Sequence, residues 1–156
     1  MLGHRLRRIL LVEDEEDIRL SLKELLETSL DRVEVALAAN GEEGLQHVRD
    51  APPDLIISDY KMPGMTGLDF LEAARAFLPD TPKVLITAFP DLDLAVKAIN
   101  DAHIENFLQK PLDPEVVVQK VDRILRMQAA RREKERALAR GLKELGERLG
   151  KELADP

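Results

Sequence analysis

The chain has no cysteine and no tryptophan, and aromatic residues make up only 3% of its 156 positions. Without cysteine, a disulfide framework and thiolate metal ligation are excluded, and the composition is compatible with a reducing compartment. With so few aromatic rings, the interior has to be built from Leu, Ile, Val and Ala, which suits helices laid against a parallel sheet. Long apolar runs are missing as well. The first, Ile9 to Val12, stops at Glu13, too short for the apolar stretch of a signal peptide. No segment reaches the roughly 18 apolar residues of a membrane span. A soluble, cytoplasmic protein without a membrane partner is expected. Positive charge is scarce in the body: residues 1–125 carry 14 Lys/Arg against 24 Asp/Glu, a net of −10, while residues 126–156 carry 9 against 6, a net of +3. An acidic body argues against nucleic acid as its direct ligand, because duplex binding rests on neutralising phosphates with Lys and Arg.

What is present is an alternation. Arg8 to Glu13 reads as a short strand buried on both faces. Glu15 to about Ser29 follows as an amphipathic helix with Ile18, Leu22, Leu25 and Leu26 at three- and four-residue steps. Val33 to Ala38 is a second strand, and Asn40-Gly41 turns into a helix carrying Leu45 and Val48, which ends at Ala51-Pro52 because the residue before proline avoids the α region. Leu55 to Ser58 is a third strand, Leu68 to about Leu78 a helix, Lys83 to Thr87 a fourth strand, Leu92 to Asn100 a helix, and Ile104 to Leu108 a fifth strand. A last helix starts near Pro114, with Asp113 at the N-cap and proline at the tolerated first position. Five β/α alternations with crossovers of this length predict an α/β fold, a doubly wound parallel sheet with helices on both faces.

Ligands of such sheets sit beyond the C-terminal ends of the strands. That edge collects Glu13 and Asp14 from the first strand, Asp59 from the third, Thr87 from the fourth and Lys110 after the fifth. Asp59 taken alone is either the opener of the Pro/Gly turn that follows it or a chemical group. Glu15, Glu16 and Asp17 are well accounted for by the helix dipole; Glu13 and Asp14, at the strand's C-terminal end, are less so. Three clustered carboxylates call for a hard divalent cation with oxygen ligands, Mg²⁺ above all. Lys110 adds a cation and Thr87 a hydroxyl, a setting that suits a phosphoryl group held against Asp59.

Four separated stretches, Ile9-Leu-Leu-Val-Glu-Asp14, Ile56-Ile-Ser-Asp-Tyr-Lys-Met-Pro-Gly-Met-Thr-Gly-Leu-Asp-Phe-Leu71, Val84-Leu-Ile-Thr-Ala88 and Phe107-Leu-Gln-Lys-Pro111, together resemble the signatures of the response-regulator receiver domain of two-component signalling. The resemblance covers roughly residues 8–126 and implies the flavodoxin-like strand order 2-1-3-4-5. It also implies Asp59 as phosphoacceptor, with Asp14, Glu13, Asp59 and the Lys61 carbonyl around Mg²⁺. Lys110 would bind the phosphoryl group, with Thr87 and Phe107 as switch residues and Lys110-Pro111 as a cis bond. The implied partner is a sensor histidine kinase or phosphotransfer protein, and no turnover of an external substrate is implied. Departures are Thr66 where the family often has Asp, Asp101-Ala102 where Gly-Ala is usual, and Phe89-Pro90 after the switch threonine. The bulk of Phe89 is expected to shield an aspartyl phosphate from water.

The body reads as residues 1–126 and the remainder as a helical extension, residues 127–156. Val117, Val121 and Ile124 share a seven-residue register with Leu138, Leu142, Leu145 and Leu149, while Gln128, Arg131 and Glu135 stand between. This interrupted heptad seam reads either as a stalk for a homodimer or output module, or as a solvated, frayed tail weakened by Gly141, Gly146 and Gly150. The chain is then either a stand-alone regulator or the N-terminal piece of a longer one. Two competing readings are an aspartyl phosphotransferase, which would want an acid at position 61 where Lys stands, and a receiver-shaped interaction module that is never phosphorylated.

Overall fold

The computed structural model describes residues 5–88, 91–104 and 106–154. The strands β1 (Arg7–Val12), β2 (Val33–Ala38), β3 (Leu55–Asp59), β4 (Lys83–Thr87) and β5 (Asn106–Gln109) form one parallel sheet in the order β2-β1-β3-β4-β5. Between and after them run α1 (Glu16–Ser29), α2 (Gly41–Asp50), α3 (Gly67–Phe77), α4 (Leu92–Ala102) and α5 (Pro114–Ala154). This is the flavodoxin-like, doubly wound fold that the alternation and the resemblance predict.

The burial of each strand follows from its place. β3 and β4 lie inside the sheet and every residue in them is buried, as their unbroken apolar runs require. The edge strand β2 keeps Glu34 exposed between buried Val33 and Val35. Its open side is closed by α1: Glu27 accepts from the Val35 amide at 2.9 Å, and Lys23 donates to the Val35 carbonyl at 2.7 Å. Side chains thus occupy backbone groups that would otherwise template another strand. Successive residues of a strand face opposite sides, so the sheet feeds two cores. Ile9, Leu11, Ile57 and Ile86 pack with α1 and α5, while Leu10, Val12, Ile56 and Leu85 pack with α2, α3 and α4.

Two helix starts are built as the sequence suggests. Asn40 accepts from the Glu43 amide while the Glu43 carboxylate accepts from the Ala39 amide, and the Asp113 carboxylate accepts from the Glu115 amide at the start of α5. Thr66 caps α3 through its hydroxyl, so replacing the family's frequent Asp there costs little. The fifth strand begins later than its apolar run suggests. Ile104 is fully buried but its amide turns back to the Ala98 carbonyl at 3.1 Å, because α4 extends to Ala102 and ends on His103 in the left-handed conformation, φ 55° and ψ 38°. A β-carbon is unfavourable there. His103→Gly is expected to raise stability by about 1 kcal/mol, read as an upward shift of the thermal midpoint; an unchanged or lowered midpoint would contradict the assigned cap.

Helix α5 continues as one helix to Ala154 through Gly141, Gly146 and Gly150, whose surroundings are open. Val117, Val121, Ile124 and Leu125 are buried on the body, whereas Leu138, Leu142, Leu145 and Leu149 are exposed beyond it. No described helix is long and apolar enough to cross a membrane.

Candidate functional site

Because all five strands run the same way, their C-terminal ends share one edge, and the polar residues that close the apolar runs meet there. Glu13 follows β1 directly, held by its amide on the Ala38 carbonyl at 3.0 Å. Asp59 closes β3 and Thr87 closes β4, and the Lys110 amide donates to the Thr87 carbonyl at 2.9 Å. Glu13, Asp59 and Thr87 are all buried, and the Lys110-Pro111 bond is cis. One carboxylate oxygen from each of Glu13, Asp14 and Asp59 lies within 4.8 Å of the others. The Lys110 Nζ stands 2.9 Å from Asp59 Oδ1.

The electrostatics follow from burial and crowding. Burial, and next the Asp59 charge, push the Glu13 carboxyl up to about 7, against the hydrogen bond from the Glu15 amide and the charge of Lys110. Burial also raises Asp59, outweighing the hydrogen bond and charge of Lys110. Burial disfavours the Lys110 ammonium, yet Asp59, Glu13 and Glu15 together hold its pKa above the ordinary lysine value. Glu13 Oε1 accepts from the Glu15 amide at 3.2 Å, but its buried Oε2 has no hydrogen-bond partner among the described residues. A buried carboxylate oxygen without a partner beside two further carboxylates suits a hard cation with oxygen ligands. The residues therefore fit Mg²⁺.

The remaining predicted positions are less tightly drawn in. The Lys61 side chain is exposed in the loop after β3. Phe107 is half-buried against the core on the α3 and α4 side, and its carbonyl accepts from Lys120 Nζ at 2.6 Å. Phe89 and Pro90 lie outside the described residues.

Three supports escaped the sequence reading. Arg19 Nη1 donates to the Glu13 carbonyl at 2.7 Å, tying α1 to the acidic loop. The Ser58 hydroxyl donates to the Asp59 carbonyl at 3.0 Å. Gly67 donates its amide to the Tyr60 carbonyl at 2.8 Å and lies so close to Asp59 that a β-carbon there would meet the Asp59 carbonyl carbon at 2.8 Å. A glycine standing directly after a helix N-cap was the available signal for the last of these.

The chain matches the response regulator receiver domain over residues 9–122 and belongs to that family. It is 38% identical over 117 residues to the transcriptional activator protein ExaE of Pseudomonas putida, an alignment covering 75% of this chain and 54% of that protein. The chain thus spans about half the length of that relative. Its fold is similar to a CheY-like receiver domain protein from Methanospirillum hungatei JF-1, with a TM-score of 0.75 and 31% identity, covering 81% of this chain and 98% of the other. It is also similar to the signal receiver domain of an HD domain-containing protein from Pseudomonas fluorescens Pf-5, with a TM-score of 0.73 and 32% identity, covering 80% and 98%. Receiver domains are signalling modules that bind Mg²⁺ at an acidic pocket, and this chain has an acidic cluster of Glu13, Asp14 and Asp59.

Proposed function

We propose that this chain is a phosphoacceptor in two-component signalling, working in the cytoplasm, and that Asp59 takes a phosphoryl group from the phosphohistidine of a sensor histidine kinase or phosphotransfer protein. The observation that carries this reading is the Lys110 ammonium 2.9 Å from Asp59 Oδ1 inside a three-carboxylate cluster. An Asp59 carboxylate oxygen forms the new O–P bond as the P–N bond to the donor imidazole breaks, its electron pair staying on the imidazole nitrogen. Lys110 holds Asp59 in place and then faces the phosphoryl oxygens, keeping its proton throughout because the surrounding acids raise its pKa. Glu13, Asp14, Asp59 and the Lys61 carbonyl would hold Mg²⁺, which when bound would supply the remaining counter-charge to the transferred group. The Thr87 hydroxyl donates to the new oxygens, and Phe107 turns toward the space that Thr87 leaves. The packing of α4, β5 and α5 shifts between two populations as a result. The extension of residues 127–156 carries that shift to a partner, with pairing of two copies through its leucines as one form. The chain modifies only itself and turns over no external substrate.

Incubation with acetyl phosphate and Mg²⁺ followed by intact-mass analysis tests this. The wild type is expected to gain one phosphoryl group, and Asp59→Asn to gain none. Equal modification of both proteins would overturn the assignment.

A further inference from the structure

At the edge of the sheet opposite the acidic cluster, one carboxylate gathers three partners and the carbonyl of the same residue a fourth. Asp54, the residue before β3, is buried to 3% exposure. Its Oδ2 accepts from the Arg8 amide at 2.8 Å, and its Oδ1 accepts from Arg5 Nη2 at 3.0 Å and from Arg132 Nη1 at 2.7 Å. Its backbone carbonyl accepts from Gln128 Nε2 at 2.7 Å. Two of these partners, Gln128 and Arg132, are one helical turn apart on α5 and lie beyond Leu125, the last α5 residue buried in the core.

The first polar position in the leucine register, Gln128, is thereby accounted for. Where α5 runs past the hydrophobic body, apolar residues have nothing to bury against, and the rim of the sheet offers a carboxylate and a carbonyl instead. A charge-assisted bond to a buried carboxylate is among the stronger polar contacts, and water screens it less than it screens the exposed ion pairs of the same helix. Two anchors at i and i+4 on one face also fix the tilt of the helix as well as its distance. From Arg132 to Ala154 the helix extends about 33 Å at 1.5 Å per residue, so a small angular freedom at the rim becomes a large displacement at the tip.

We propose that Asp54 is the socket that sets the direction of the helical extension, a positioning residue that makes residues 128–137 a rigid continuation of the receiver body. β3 then carries the acidic site at one end and the anchor of the extension at the other. The leucines from Leu138 onward are held at a defined place relative to the body, whatever partner covers them. This inference does not depend on phosphorylation of Asp59.

Because the chain has no cysteine, Glu34→Cys on β2 and Arg148→Cys on α5 give two unique sites for spin labels in the full chain. A narrow distance distribution is expected with the socket intact. The double change Gln128→Ala with Arg132→Ala leaves Asp54 its Arg5 and Arg8 partners. It should broaden the distribution at least about twofold and speed amide exchange across residues 128–137 roughly tenfold, the equivalent of about 1.4 kcal/mol. Arg131→Ala, which removes only exposed pairs to Asp80 and Glu135, should leave the width unchanged. An unaltered width in the double variant, or equal broadening from Arg131→Ala, overturns the proposal.

Discussion

Glu13→Gln is expected to melt well above the wild type at pH 8 in the absence of divalent cations, and to match it near pH 4.5. The folded state holds a proton on Glu13 up to about 7, whereas the ordinary value is 4.5. Between these values the folded state binds more protons than the unfolded one, so the stability that Glu13 contributes falls as pH rises, and above 7 it is lost in full. The difference corresponds to about 3 kcal/mol, or a midpoint shift on the order of 10 °C. Glutamine removes the buried charge and turns an amide toward the carboxylates of Asp14 and Asp59. Mg²⁺ should act on the wild type in the opposite sense, raising its midpoint strongly at pH 8 and little at pH 4.5, while the variant gains less at either pH. A wild-type-minus-variant difference that stays flat from pH 4.5 to 8 would show that Glu13 is not the strained member of the cluster.

That strain marks where sequence reasoning stopped. Glu13 and Asp14 are adjacent acids at the end of one strand, and nothing in their order says which is buried. The structure buries Glu13 completely and leaves Asp14 half-exposed, since alternate positions along β1 face opposite sides and the chain turns away immediately afterwards. The site was otherwise readable because each member closes an apolar run. β1, β3 and β4 announce themselves by unbroken Val, Ile and Leu, and parallel strands place their last residues on one edge. Strand order was not readable from periodicity, which describes faces and not neighbours; only the linked motifs supplied it.

The fold shows the same division. Ile104 is as apolar and as buried as a strand residue, yet its burial belongs to the turn after α4 and not to the ladder. On α5 the heptad positions were visible, but the use made of them was not. Gln128 looked like a gap in a seam, and it is a contact to the body. A register specifies which side of a helix a residue occupies, and only the packed structure specifies what stands on that side.

Gly67→Ala is expected to be the most damaging small substitution in the chain, while the same change at Gly141 is expected to help. At Gly67 an added β-carbon would fall well inside van der Waals contact of the Asp59 carbonyl oxygen and 3.0 Å from Ser58 Oγ. Neither neighbour can yield easily. Asp59 is the last residue of a strand buried on both faces, and Gly67 is itself pinned by its bond to the carbonyl of Tyr60, the residue after β3. Relief requires moving the start of α3 away from the sheet, which breaks that bond and opens the core around Leu68, Phe70 and Leu71. Overpacking of this kind costs about 3 kcal/mol, or a midpoint lowered by roughly 10 °C, and the displaced Asp59 backbone should slow acetyl phosphate labelling in the fraction that remains folded. At Gly141 a β-carbon meets nothing within 4 Å, so alanine should stabilise α5 by about 1 kcal/mol through helix propensity alone. Opposite signs from one substitution at two helical glycines separate close approach from flexibility; a Gly67→Ala protein that melts and labels like the wild type would mean that α3 does not rest against the end of β3.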